Sequence, residues 1–272
     1  MSRMLKAPGG TGHAVVLKAG DQTRWLGLEI LRLSPGESWK GTLAEEEAAF
    51  IILSGRCSLR IVANESVTWD GLGGRADIFA APATAVYVPR RAQVEVRAET
   101  KVEVAIAKAP CSVDLPPKLV SPAEVRIVSA GTANWRRDVR LVIPPGSPIS
   151  SRLIVGETIN PPGNWSGIPP HKHDVINEKE NVLEEFYLFK ARPADGYGVQ
   201  VLNDDGKDTA HVIGEGDVAV LTNGYHPTAA APGVTIAYLW VLSGDSKAYD
   251  ITIDPRFAWV GPAEAVLREM KS

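Results

Sequence analysis

The 272-residue sequence predicts an all-β chain folded as two related barrels. Three observations carry that reading. Apolar segments are short and rich in β-branched residues. Gly and Pro are dense between them, at 25 and 20 residues. The style of the first part recurs after "DLPPKLVSP", Asp114 to Pro122. Short strands at regular spacing, punctuated by turn residues, are the pattern of sandwiches and barrels.

In the first part, "EAAFIILSGRCSLRIV", "AVYVPRRAQVEVRAE" and "KVEVAIAKA" read as strands joined by turns. In the second, "VRLVIPP", "RLIVGETINPP", "EEFYLFKARP", "YGVQVLN", "DVAVLTNGYHP" and "VTIAYLWVLSG" do the same. The one helix candidate is "GPAEAVLREM", with Pro near its start and Glu in its first turn. "AAFIILSGRCSLRI" and "EEFYLFKARPADGYGVQVL" match in pattern more than in identity, a weak internal repeat. The expected division is residues 1–122 and 123–272.

Composition excludes several classes. At 44% apolar residues the chain can bury a full core. A formal charge of −3 offers no basic stripe for nucleic acid. No run of about 20 apolar residues predicts a membrane span. "MSRMLKAPGGTGHAVVLKAG" has no signal-type apolar core, so cytoplasmic residence is expected. Cys57 and Cys111 form no CxxC pair and read as buried, inert thiols. No GxGxxG loop stands between a strand and a helix, so no nicotinamide or flavin is expected.

Of five histidines, two stand one residue apart. On a strand, His171 and His173 project from one face and Lys172 from the other. Two imidazoles on one face are half of a metal site. Glu185, opening "EFYLF", and His226, closing "GDVAVLTNGYHP", can complete it. Each part has a plainer reading. A lone HxH is often solvated, Glu184 and Glu185 can be an exposed strand start, and His226 before Pro227 can be a turn residue. His13 and His211 lie in polar, loop-like stretches and receive no role.

The combination resembles the two motifs of the cupin superfamily. The first is Gly163, His171, His173, Glu185 and Gly196; the second is Gly216, Asp217, Gly224 and His226. The 11 residues between His173 and Glu185, 174–184, make an unusually long gap, which can form part of the pocket or a lid. "GETINPPGNWSGIPPHKHD", "LEEFYLF", "GYGVQVLNDDG" and "GDVAVLTNGYHPTAAAPG" narrow the resemblance. They are similar to the 5-deoxy-glucuronate isomerases of inositol catabolism, relatives of the 4-deoxy-threo-hexosulose-uronate ketol-isomerases. The match is strong from about Arg152 to Gly244 and weaker in the first part.

The resemblance implies a bicupin, two double-stranded β-helix (jelly-roll) barrels in one chain. The first barrel, with no histidine between His13 and His171, would be metal-free and structural. The implied metal ligands are His171, His173, Glu185 and His226, with Glu184 the rival for the carboxylate. The implied reaction is an aldose–ketose isomerisation of a uronate through an enediolate. It would be assisted by a divalent ion, Zn²⁺ first, with Mn²⁺, Fe²⁺ or Ni²⁺ compatible with the same ligands. Tyr187 would share the face of Glu185. The base would be Tyr187, a hydroxide held by the ion, or a carboxylate of 174–184. Arg152, Lys172 and Arg137 are candidates for the substrate carboxylate. Two other readings use a similar site: a non-catalytic sugar-acid-binding cupin and a metal-dependent cupin dioxygenase. A homodimer through edge strands is compatible with the sequence, which does not specify one.

Overall fold

The computed structural model describes residues 2–204 and 206–270. It contains two β-barrels, each a large antiparallel sheet facing a four-stranded one. In the first, the large sheet runs in the order Lys118–Val120, Thr84–Val88, Glu46–Ser54, Val102–Pro110, Gly27–Leu33, Gly12–Leu17. The opposing sheet is Ser38–Thr42, Gln93–Ala98, Arg56–Val62, Ser66–Gly73. In the second, the large sheet runs Arg3–Lys6, Asp217–Leu221, Leu183–Arg192, Thr235–Gly244, Ile154–Asn160, Arg137–Ile143, Arg126–Ala130. It faces Trp165–Ser166, Thr228–Ala230, Gly198–Asp204, Lys207–Ile213. The order matches over six strands of the large sheets, the second adding Arg126–Ala130 at its edge, and over all four of the opposing sheets, so the weak repeat of the sequence is a repeat of the fold. The expected tail helix spans Val260–Glu269. Among the described residues, no helix is long and apolar enough to cross a membrane.

The chain's first strand edges the second barrel's large sheet, and the last strand of the first part edges its own. Arg3–Lys6 pairs with Asp217–Leu221 of the second barrel. Lys118–Val120 pairs with Thr84–Val88 of the first. These short pieces carry too few apolar residues to read as strands alone. Their partners' open edges supply the missing hydrogen bonds.

The two large sheets stack on each other. Along Glu46–Ser54, Ala48, Phe50 and Ile52 fill the first barrel, while Ala49, Ile51 and Leu53 enter the layer between barrels. Along Leu183–Arg192, Tyr187 and Phe189 fill the second barrel, while Phe186 and Leu188 enter the shared layer. Burial on both faces explains why these strands are continuously apolar instead of alternating. Each fully buried Phe or Leu here contributes about 1.5–3 kcal/mol.

Polar clasps seal the layer in matching pairs. Glu47 accepts hydrogen bonds from the backbone N–H of Ser151 at 2.7 Å, Arg152 at 2.6 Å and Leu153 at 3.0 Å. Glu184 accepts from the N–H of Arg24 and Trp25, both at 2.7 Å. Thr23 and Ser150, one residue before each clasped turn, donate to the carbonyls of Leu26 and Leu153. The chain of each half thus turns around a carboxylate of the other. Between them Arg75 and Glu157 form a cross-barrel ion pair at 2.5 and 3.0 Å, both side chains buried.

His13 and His211 stand on strands, Gly12–Leu17 and Lys207–Ile213, and not in loops. His13 Nε2 lies 2.6 Å from the Glu29 carboxylate. Both thiols are buried. Burial, then the charge of Glu99, pushes Cys57 up to about 12.

Candidate functional site

The second barrel gathers four of the predicted residues at one end. Pro169 and Pro170 lead into the two-residue strand His171–Lys172, which pairs with Thr252–Ile253. Glu185 lies near the start of the central strand, opposite Leu221 and Leu242. His226 follows the turn after Asp217–Leu221. One nitrogen each from His173 and His226 and one oxygen of Glu185 lie within 4.8 Å of one another, and all three residues are buried.

The backbone sets which nitrogens face inward. His173 Nδ1 is 2.6 Å from the carbonyl of Leu183, and His226 Nδ1 is 2.9 Å from that of Gly224. A carbonyl only accepts, so each Nδ1 carries the hydrogen and each Nε2 presents its lone pair. Glu185 Oε2 is 3.2 Å from His173 Nε2 and 3.4 Å from His226 Nε2. His226 Nε2 is buried with no hydrogen-bond partner among the described residues. Two lone pairs and a carboxylate aimed at one point call for a shared cation. This is the arrangement that backbone-anchored histidine ligands adopt around a metal.

The electrostatics point the same way. Burial alone would raise Glu185, but the imidazoles of His173 and His226 facing its carboxylate bring it down to about 2. Burial opposes charge on His173, yet Glu185 holds it above its ordinary value. Only a positive centre, a proton or an ion, satisfies the trio.

His171 stands beside them. Its ring centroid is 5.0 Å from that of His226 and 6.3 Å from that of His173. Its Nε2 faces the Tyr249 hydroxyl at 3.1 Å. Burial, then the two neighbouring imidazoles, lowers it to about 3, so it is a neutral lone-pair donor.

Glu184, on the opposite face of the strand, is turned to the first barrel by its clasp on Arg24 and Trp25. Glu185 is the carboxylate beside the histidines. Tyr187 shares its face; burial and then the Glu185 charge push this phenol well above the usual range.

A cavity of about 340 Å³ opens onto the cluster, lined by His171, Glu185, Tyr187, Tyr238, Tyr249 and Arg137, with apolar residues between. The three candidate cations separate here. Arg137 lines the cavity, and its guanidinium donates to the carbonyls of Trp135 and Ile168. No carboxylate neutralises it among the described residues. Lys172 points away from the cluster, to Asp174 and Glu180. Arg152 bonds the carbonyl of Gly244 at 2.6 Å and reaches Asp245.

The segment 174–184 is a brace. Buried Glu180 accepts from the N–H of Asp174 and Val175, at 2.7 and 3.0 Å. Asp174 accepts from Gly224 N–H at 2.7 Å, holding the turn whose carbonyl anchors His226. Asn181 binds both the carbonyl and the carboxylate of Asp250, next to Tyr249.

Tyr249 escaped the sequence reading. "GDSKAYD" is polar and aperiodic, and only its place after the last long strand could have marked it. Arg126, which also lines the cavity, was equally silent.

Comparison with known proteins fits this geometry. The chain is 36% identical over 269 residues to the 5-deoxy-glucuronate isomerase of Geobacillus kaustophilus, covering 96% of each chain. Its fold matches the crystal structure of an IolB-like protein from Salmonella typhimurium LT2, with a TM-score of 0.89, 27% identity and coverage of 95% and 98%. It also matches oxalate decarboxylase from Lactobacillus farciminis at a TM-score of 0.67 and 10% identity, covering 99% and 93%, which is a likeness of fold alone. The profile of the KduI/IolB family matches residues 5–260, and the chain belongs to that family.

Proposed function

We propose that this protein isomerises 5-deoxy-D-glucuronate to 5-dehydro-2-deoxy-D-gluconate, as a cytoplasmic enzyme of myo-inositol catabolism. The observation that carries the reading is the inward-facing trio His173, Glu185 and His226 at the foot of a cavity that also holds the unneutralised Arg137. The full-length similarity to a 5-deoxy-glucuronate isomerase supports it.

His171, His173, Glu185 and His226 would hold a divalent ion. Three nitrogens and one carboxylate suit Zn²⁺, and Mn²⁺, Fe²⁺ or Ni²⁺ fit the same donors. When bound, the ion supplies positive charge to the oxygens of the developing enediolate. The chain does the rest. Arg137 pairs with the substrate carboxylate and fixes which end of the sugar reaches the histidines. Tyr187, held protonated, donates to the developing oxyanion. The apolar wall between them excludes water and strengthens these contacts.

The test is incubation with 5-deoxy-glucuronate followed by proton NMR, with and without EDTA and with and without oxygen. Ketone formation that needs the metal and not oxygen supports the isomerase. Oxygen uptake would indicate a dioxygenase. Saturable binding without turnover would indicate a sugar-acid-binding protein.

A further inference from the structure

Tyr249 stands on a strap that crosses from the end of Thr235–Gly244 to Thr252–Ile253. The strap is tied on both sides of the tyrosine. Lys247 Nζ donates to the carbonyls of Ser147 and Ser150, at 2.6 and 2.9 Å, and to the Ser150 hydroxyl at 2.9 Å. Asp250 is held by Asn181 of the brace, with Nδ2 at 2.6 Å from its carboxylate. As a residue Tyr249 is 40% exposed, but its hydroxyl points inward to His171 Nε2. Its ring lies 6.3 Å from His171 and 6.5 Å from His173, and it lines the same cavity as Glu185 and Arg137.

We propose that Tyr249 is a further catalytic residue, whose hydroxyl contacts both reacting oxygens of the substrate and passes a proton between them. The inference rests on the isomerase reading and concerns one step of it. His171 Nε2 is the lone-pair nitrogen beside the trio. When it turns to the common centre the phenol loses its partner. The hydroxyl then faces the space where the sugar's two vicinal oxygens must lie. A phenol donates and accepts through one atom, so it can serve both.

The step balances without any redox partner. A base removes the hydrogen from the α-carbon, and that electron pair becomes the carbon–carbon double bond of the enediol. Tyr249 gives its proton to the former aldehyde oxygen and takes one from the neighbouring hydroxyl as that carbon becomes the ketone. A proton returns to the terminal carbon. The aldehyde and its α-hydroxyl become a ketone and a terminal alcohol, and the phenol ends as it began. Two residues of the brace, Asp174 and Asn181, thereby hold the His226 turn and the Tyr249 strap in one frame.

Tyr249→Phe in the metal-loaded protein tests this, judged against wild type that turns over 5-deoxy-glucuronate. The expected result is unchanged metal content, KM within about threefold, and kcat lower by about 10²- to 10⁴-fold. In D₂O the variant should still exchange the α-hydrogen of recovered aldose. The ratio of deuterated aldose to ketose should rise at least about tenfold over wild type, since carbon deprotonation outlasts the blocked oxygen-to-oxygen transfer. A kcat within threefold of wild type would overturn the inference and leave the isomerase intact. So would loss of the metal, which would make Tyr249 a support for His171. Wild type that produces no ketose would sink the isomerase reading itself, and this inference with it.

Discussion

Glu184 and Glu185 are adjacent, both buried, and face opposite ways, so isosteric substitutions should separate stability from chemistry. Glu184→Gln keeps the shape of the side chain and removes its charge. Its carboxylate takes two backbone N–H groups at 2.7 Å each from Arg24 and Trp25. The glutamine carbonyl can satisfy one of them, while its NH₂ meets the other donor head-on. One charge-assisted bond is lost, one is weakened to a neutral one, and one N–H is left unsatisfied. Together these cost about 2–4 kcal/mol. At about 2–4 °C per kcal/mol for a large domain, the midpoint should fall by roughly 4–16 °C. Metal content and kcat should stay near wild type. Glu185→Gln should do the reverse. The two imidazole nitrogens at 3.2 and 3.4 Å would lose their anionic partner, and metal binding should weaken at least about ten- to a hundredfold. The assays are differential scanning fluorimetry of the apoprotein and metal analysis after dialysis, run on both variants. Metal loss in Glu184→Gln with retention in Glu185→Gln would refute the register on which the site is built.

Other outcomes follow from the same geometry. Replacing His173 or His226 by Ala should remove the ion and activity together, measured by metal analysis and NMR turnover, while the first barrel, which supplies no residue to the cluster, stays folded. Arg137→Lys should raise KM for the uronate by about tenfold or more with a smaller change in kcat, because an ammonium cannot form the forked carboxylate contact. A non-acidic analogue should be insensitive to that change. Burial raises both thiols, Cys57 to about 12, so at pH 8 neither Cys57 nor Cys111 should react with a disulfide reagent until the protein is unfolded.

The central strands were legible because short unbroken apolar runs such as "AAFIIL" and "IAYLWVL", closed by turn residues, fit strands buried on both faces. The edge strands were not. Arg3–Lys6 and Lys118–Val120 exist because another segment's open edge receives them, and no local pattern records that. Among site residues, the histidines and Glu185 were found by type and spacing. Tyr249 and Arg126 were not, since each comes from a segment whose sequence is unremarkable and whose position is set by long-range ties. Side-chain direction was only half readable. Alternation put Glu184 and Glu185 on opposite faces, with the choice between them coming from the family resemblance, and it turned Lys172 from its neighbours. It could not show that Arg137 reaches the cavity while Arg152 is spent on the carbonyl of Gly244.

The register explains why one barrel carries the cluster and its double does not. Glu184 and Glu47 make matching clasps, so the residue after each occupies the same place. That residue is Glu185 in the second barrel and Ala48 in the first. Pairing agrees: Glu185 lies opposite Leu221 and Leu242, Ala48 opposite Val88 and Lys108, on corresponding strands. The two segments that bring histidines to this end of the second barrel also have counterparts in the first. One joins Ser38–Thr42 to Glu46–Ser54 and contributes buried Leu43; the other joins Thr84–Val88 to Gln93–Ala98 and contributes buried Ala92. Leu43 N–H donates to the carbonyl of Ala92 at 2.9 Å, so these segments meet directly. Ala48, Leu43 and Ala92 all belong to the apolar core of the first barrel. Where the second barrel collects lone pairs that demand a cation, the first closes with methyl groups and a backbone hydrogen bond. An ion there would have no donor and would lose its hydration for nothing in return. The second barrel keeps two lone pairs and a carboxylate together in a buried place, and the strand that carries Glu185 is tied to the first barrel by the clasp of the adjacent Glu184 on Arg24 and Trp25.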